Sequence, residues 1–115
     1  MSSPITTHVL DTANGHPAEG ITVVLQRRND VGEFVEITRG VTDDDGRISD
    51  WLPSGEAARP GVYRAVFEVE GYFDQTDDEL FYSKIPIVFH LNHPDEHYHV
   101  PLLLSPYGYT TYRGS

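Results

Sequence analysis

The chain has 115 residues and a formal net charge of −10, with 38% hydrophobic and 23% charged residues. That is enough for one domain with one modest core, expected to span residues 1–115. The surplus of acids argues against nucleic acid and against an anionic membrane surface, both of which demand a basic footprint. It leaves room for a local basic site that opposes the global field, for which Arg47 and Arg113 are the candidates. Without cysteine there is no disulfide and no thiolate chemistry. No apolar run approaches the roughly 18 residues that a membrane span needs. The opening MSSPITTHVL has neither the basic region nor the long apolar segment of a secretory signal, and the closing RGS is not the Ser-Lys-Leu address. A cytoplasmic location is the expectation.

Apolar residues recur with a period of two along most of the chain, which predicts strands. The first runs from Ile5 to Leu10 and the second from Ile21 to Arg28. The turn Asn29-Asp30-Val31-Gly32 leads to a third strand, Phe34 to Thr42. Asp43-Asp44-Asp45-Gly46 turns the chain again, into a short strand over Arg47 to Trp51. Pro53, Gly55, Pro60 and Gly61 mark a loop. Tyr63 to Glu70 alternates so that Tyr63, Ala65, Phe67 and Val69 share a face. Ile85 to Leu91, Val100 to Leu104 and Tyr109 to Tyr112 complete the set. One short helix is predicted from a capping box, with Thr76 as N-cap and Glu79 three places on, followed by Leu80, Phe81 and Tyr82. Eight short strands with turn signals between them predict an all-β sandwich.

Four of the six histidines, His90, His93, His97 and His99, fall within ten positions. His90 and His93 flank a polar loop and read as solvated. His97 and His99 lie two apart on a strand and so share a face, which continues as Pro101 and Leu103. The opposite face, Tyr98, Val100, Leu102 and Leu104, is the better core face. An apolar outer face suggests that another surface, such as a partner subunit, covers it. His8 is placed likewise, between Thr6 and Leu10 on one face of the first strand. These spacings match no zinc pattern. TDDDGR fails the calcium-loop test, because the first loop position would be Val41 and the last Leu52. No metal and no cofactor are expected. Gly46 instead allows a turn with positive φ, which holds Arg47 at the start of a strand. There is no G-x-S-x-G elbow, phosphate-binding loop or dinucleotide fingerprint. A histidine that activates water is the simplest chemistry on offer.

Three segments carry a resemblance: HVLDTANGHPAEGITVVLQRR from His8 to Arg28, TDDDGRI from Thr42 to Ile48, and HYHVPLLLSPYGYTTYRGS from His97 to Ser115. Together they resemble the 5-hydroxyisourate hydrolases, the purine-catabolic branch of the transthyretin-like family. The glycine turn recurs among many transthyretin-like modules, whereas HYHVP joined to the terminal YRGS is selective for the hydrolases. The resemblance implies a transthyretin/prealbumin-like sandwich of two four-stranded sheets with one short helix. It implies a homotetramer, a dimer of dimers around a central channel that holds the active sites. It also implies hydrolysis of the N1–C6 ring amide of 5-hydroxyisourate, an oxidised purine, to 2-oxo-4-hydroxy-4-carboxy-5-ureidoimidazoline. His8, Arg47, His99 and Ser115 are carried over as catalytic. His8 and Arg47, with His97, Tyr112, Arg113 and Gly114, are expected to bind substrate. Either His8 or His99 would take a proton from water, and the Arg47 guanidinium would meet the oxyanion. A transthyretin-like small-molecule carrier, or a structural module without catalysis, is the competing expectation.

Overall fold

Alternation along the first strand decides what faces inward. In β1 (Ile5–Asp11), Ile5, Thr7, Val9 and Asp11 are buried in the interior, and Thr6, His8 and Leu10 take the other face. The computed structural model that shows this describes residues 4–52, 59–73 and 81–114.

One edge of β1 is occupied by β8 (Tyr98–Leu104), which runs parallel to it in a register that sets Thr6 beside His99 and His8 beside Pro101. A parallel pair needs a long connection, and here the intervening chain builds the second sheet. The other edge of β1 is shared by two short antiparallel strands. β2 (His16–Pro17) pairs at Leu10 and Asp11, and β5 (Arg47–Ile48) pairs at Thr7 and His8. β9 (Tyr109–Thr111) closes the far side of β8. The second sheet has the order β4 (Phe34–Val41), β3 (Thr22–Arg28), β6 (Gly61–Glu68), β7 (Lys84–Leu91), all antiparallel.

The two sheets bury their facing sides against each other. Val9, Leu102 and Leu104 from the first meet Val23, Leu25, Phe67 and Ile85 from the second, all fully buried. Tyr63, Ala65, Phe67 and Val69 are all inaccessible, as their alternation predicts. Burying each large apolar side chain contributes on the order of 1.5–3 kcal/mol, so this layer carries most of the favourable energy of folding. Asp11, at the end of β1, is buried as well and is the charged exception among the described residues. Burial pushes its pKa up, but hydrogen bonds from the Asn14 side chain, the Tyr72 hydroxyl and the backbone amides of Asn14 and Ala13 together hold it below the ordinary carboxylate value. That cluster ties the turn after β1 to α1 (Glu70–Phe73).

Three expectations change. The first sheet has five strands rather than four, because the length of β1 leaves room on one edge for β2 as well as β5. The helix expected from Thr76 falls largely outside the described residues, and Phe81 and Tyr82 at its end are not helical; the helix described is α1, ahead of it. Pro101, expected on an exposed face, is buried within the single chain between the flanking strands β1 and β9, while Leu103 is half-buried. No helix among the described residues is long and apolar enough to cross a membrane.

The turn before β5 depends on Gly46. Its φ is +75°, its amide donates to the Asp43 carbonyl at 2.9 Å, and its carbonyl accepts from the Val9 amide at 2.7 Å. A Cβ at this position would lie 2.3 Å from the Val9 carbonyl oxygen. Gly46→Ala is therefore expected to lose about 2 kcal/mol or more, from the left-handed backbone and the clash together, and to loosen β5 from β1. Urea unfolding of the two proteins measures this, and equal midpoints would refute it.

Candidate active site

Residues directly opposite on neighbouring strands project to the same side of a sheet. The registers therefore gather one set of side chains on the outer face of the first sheet. Arg47 of β5 lies beside His8 of β1. Thr6, two places before His8, lies beside His99 of β8. His99 in turn bridges to Gly114, whose amide donates to the His99 carbonyl at 2.8 Å. Four segments far apart in sequence thus form one continuous row.

Each position has a local cause. The carboxylate of Asp43 accepts hydrogen bonds from the amides of Asp45 and Arg47, both at 2.9 Å, which folds the acidic turn and delivers Arg47 to β1. Arg47 is exposed and has no ion pair among the described residues. His8 is half-buried, and its Nε2 lies 2.9 Å from the Asp45 carbonyl oxygen. A carbonyl only accepts, so Nε2 carries the proton and the neutral ring keeps its lone pair on Nδ1. The His8 and His99 ring centroids are 6.5 Å apart with the planes tilted by 36°.

Thr6 is a buried hydroxyl on the otherwise outward face of β1, and two imidazoles cover it. Its Oγ1 lies 2.8 Å from His99 Nδ1 and 2.9 Å from His97 Nε2. The His97 and His99 rings are near parallel, 18° apart, at a centroid distance of 6.5 Å. With Nδ1 engaged, His99 has only Nε2 left for a ligand. Burial lowers the His99 pKa, and the Arg47 guanidinium, His8 and His97 lower it further, so the ring is held neutral. Among the described residues no three histidine or carboxylate ligand atoms gather around these rings. The group that does gather is Asp43, Asp44 and Asp45, three exposed carboxylates in the turn.

Gly114 closes the row for a steric reason. A Cβ there would lie 2.6 Å from His99 Cδ2 and 3.2 Å from Cγ, so only glycine lets the tail lie against the ring. The tail residues beside it diverge. Tyr112 is 57% exposed, open to a ligand. Arg113 turns to Glu96, at 3.0 Å, and stacks 4.5 Å over the Tyr98 ring, so it engages those two rather than the imidazoles. A groove of about 420 Å³ runs past His99, Tyr112 and Arg113 but does not reach His8 or Arg47. Ser115 lies outside the described residues. His90, near the end of β7, and His93, in the loop that follows, are both exposed, as expected. Sequence reading missed Thr6 as a participant and Glu96 as the partner of Arg113. The shared parity of Thr6 and His8 was the available signal for the first; nothing marked the second.

The HIUase/Transthyretin family model matches residues 5–114. The chain is 46% identical over 114 residues to a 5-hydroxyisourate hydrolase from Salmonella typhi, covering 99% of this chain and 82% of that protein. Among solved structures it is similar to sea bream transthyretin in complex with thyroxine, with a TM-score of 0.89 at 31% identity, over 97% of this chain and 95% of that one. It is also similar to the Klebsiella pneumoniae 5-hydroxyisourate hydrolase, with a TM-score of 0.81 at 32% identity, over 96% and 97% of the two chains.

Gly114→Ala should push the tail off the His99 ring. The His99 imidazole resonances are expected to move while the melting temperature falls only slightly, because the core does not involve Gly114. Imidazole NMR with thermal unfolding reads both, and unchanged His99 resonances would count against the contact.

Proposed function

The chain belongs to the HIUase/transthyretin family, and on that premise we propose that it hydrolyses the N1–C6 ring amide of 5-hydroxyisourate. The product is 2-oxo-4-hydroxy-4-carboxy-5-ureidoimidazoline. The observation that supports this most is the row Arg47, His8, Thr6, His99 and Gly114 on one face, in a chain close in sequence to several hydrolases.

The chemistry needs an activated water, a stabiliser for the oxyanion and a proton for the departing nitrogen. His99 in its neutral form takes the proton from water at Nε2. Arg47 offers a planar fork of donors to the carbonyl oxygen as it gains charge. His8, bound at Nε2 to a carbonyl, presents Nδ1 and holds the ring of the substrate or shuttles its proton. Tyr112 and Gly114 form the wall beside His99, with Arg113 and Ser115 completing the tail. No cofactor is required.

Four copies are proposed to assemble as a dimer of dimers. Leu10 and Leu103 stand side by side on the same outer face as the site and remain half-buried in one chain. A second copy laid on that face would cover them and shield the site from bulk water. Likeness to a transthyretin in complex with thyroxine supports a second reading, a small-molecule carrier. A carrier needs no turnover, so catalysis discriminates the two.

With freshly generated 5-hydroxyisourate followed spectroscopically, the parent is expected to accelerate decay. His99→Ala should lose about 10²–10⁴-fold and Arg47→Ala about 10²–10³-fold in kcat. Variants as fast as the parent would refute the site. The lowered pKa of His99 sets the direction of the pH dependence. The base form is kept as pH falls through the ordinary imidazole value of about 6.5 and is lost only below it. The acid limb of kcat/KM is therefore expected below that value, and a limb at or above it would remove His99 as the base.

A further inference from the structure

Hydrolysis as described uses the outer nitrogen of His99 and leaves Thr6 and His97 without a task. Yet Thr6 Oγ1 lies between His99 Nδ1 and His97 Nε2 at hydrogen-bond distance from both. A hydroxyl has one proton to give. It can donate to only one of the two imidazole nitrogens, so the other must carry a proton and donate to it. When Thr6 donates to His97, His99 holds its proton on Nδ1 and presents a bare Nε2, the form of a base. When Thr6 donates to His99, the Nε2 of His99 carries the proton instead, the form of an acid. The two neutral rings are thereby locked in the same tautomer, both protonated on Nδ1 in the first arrangement and both on Nε2 in the second.

We propose that Thr6 and His97 form a proton relay behind His99, positioning residues that move the charge of the captured proton from the half-buried ring to an exposed one. The proposal rests on the hydrolase reading above. As water attacks, its O–H bond breaks and that proton binds His99 Nε2. The His99 Nδ1 proton passes to Thr6 Oγ1, and the Thr6 hydroxyl proton passes to His97 Nε2, leaving His97 as the imidazolium. When the tetrahedral intermediate collapses, the same transfers run backwards, and the Nε2 proton of His99 goes to the departing nitrogen. Water has then added as OH to carbon and H to nitrogen, with no net change in the protein.

The surroundings favour this displacement. Positive charge on His99 is opposed first by partial burial, then by Arg47 from β5, His8 from β1 and His97. His97 lies in solvent ahead of β8, where water stabilises an imidazolium. Glu96, its acidic neighbour in the chain, is paired with Arg113. Among the described residues, Oγ1 has the two rings as its only side-chain partners.

Thr6→Val keeps the shape and removes the hydroxyl, and Thr6→Ser restores it. Long-range proton–nitrogen NMR of nitrogen-15-labelled protein is expected to show His97 and His99 in the same neutral tautomer, both on Nδ1 or both on Nε2, in the parent and in T6S. In T6V each ring should adopt its own mixture. Kinetically, T6V is expected to lower kcat about tenfold or more with KM within about twofold, since a positioned acid–base system contributes about 10²–10⁴-fold. T6S should recover most of the loss, and T6V combined with His97→Asn should be no slower than T6V alone. A T6V protein with parental kcat, or losses from T6V and H97N that multiply, overturns the relay and leaves the hydrolase reading standing. Matched tautomers in a parent that does not turn over 5-hydroxyisourate overturn the hydrolase reading instead and keep the coupled pair.

Discussion

The parallel register between β1 and β8 is the constraint on which the site depends. A slip of one residue would turn Thr6 and His8 into the core and bring Ile5, Thr7 and Val9 outward. Burial of Ile5 and Val9 makes that slip prohibitive, because it would expose two fully buried apolar side chains. The Thr7 hydroxyl, buried and bonded to the Val100 carbonyl at 2.6 Å, pins the same register from the inside. The packing of the core thus fixes the positions of the polar groups on the opposite face. The outer row is the reverse side of the hydrophobic pattern.

Around that register the protein places its charges unevenly. The chain as a whole carries a net charge of −10, while the outer face of the first sheet concentrates Arg47 and three imidazoles. Among the described residues none of the nearby acids of the turn forms an ion pair with Arg47, and the Asp43 carboxylate bonds backbone amides instead. Arg47 therefore stays available, and its field adds to burial in lowering the pKa of His99. A neutral imidazole beside a free guanidinium suits attack by water on an acyl carbon, where one group must accept a proton as the other meets negative charge.

The same scaffold is close to a transthyretin in complex with thyroxine and to a 5-hydroxyisourate hydrolase. A sandwich held by two inward faces leaves its outward residues free to differ, so fold alone does not select the chemistry. In this chain the outward residues of β1, β5, β8 and the tail form the row described above. Gly114 illustrates how finely they are fitted, since a single methyl group would collide with the His99 ring.

Much of this was legible in the sequence because strand parity is a local property. Alternation at Tyr63, Ala65, Phe67 and Val69 identified a core face, and the spacing of His97 and His99 put them together on another. The acidic turn with Gly46 announced its positive φ, and the YRGS tail with HYHVP pointed to the family. Local pattern does not report which strands become neighbours, however. The pairing of His8 with Arg47, of Thr6 with His99 and of His99 with Gly114 arises between residues 39, 93 and 15 positions apart. The hydroxyl of Thr6 looked like an ordinary strand residue, and nothing marked the partners of Arg113, until tertiary contacts placed one between two imidazoles and the other against Glu96 and Tyr98. Sequence alone determined which side chains face outward, since that follows from a backbone period of two; only the folded chain decided which outward side chains meet, because that follows from how the core closes.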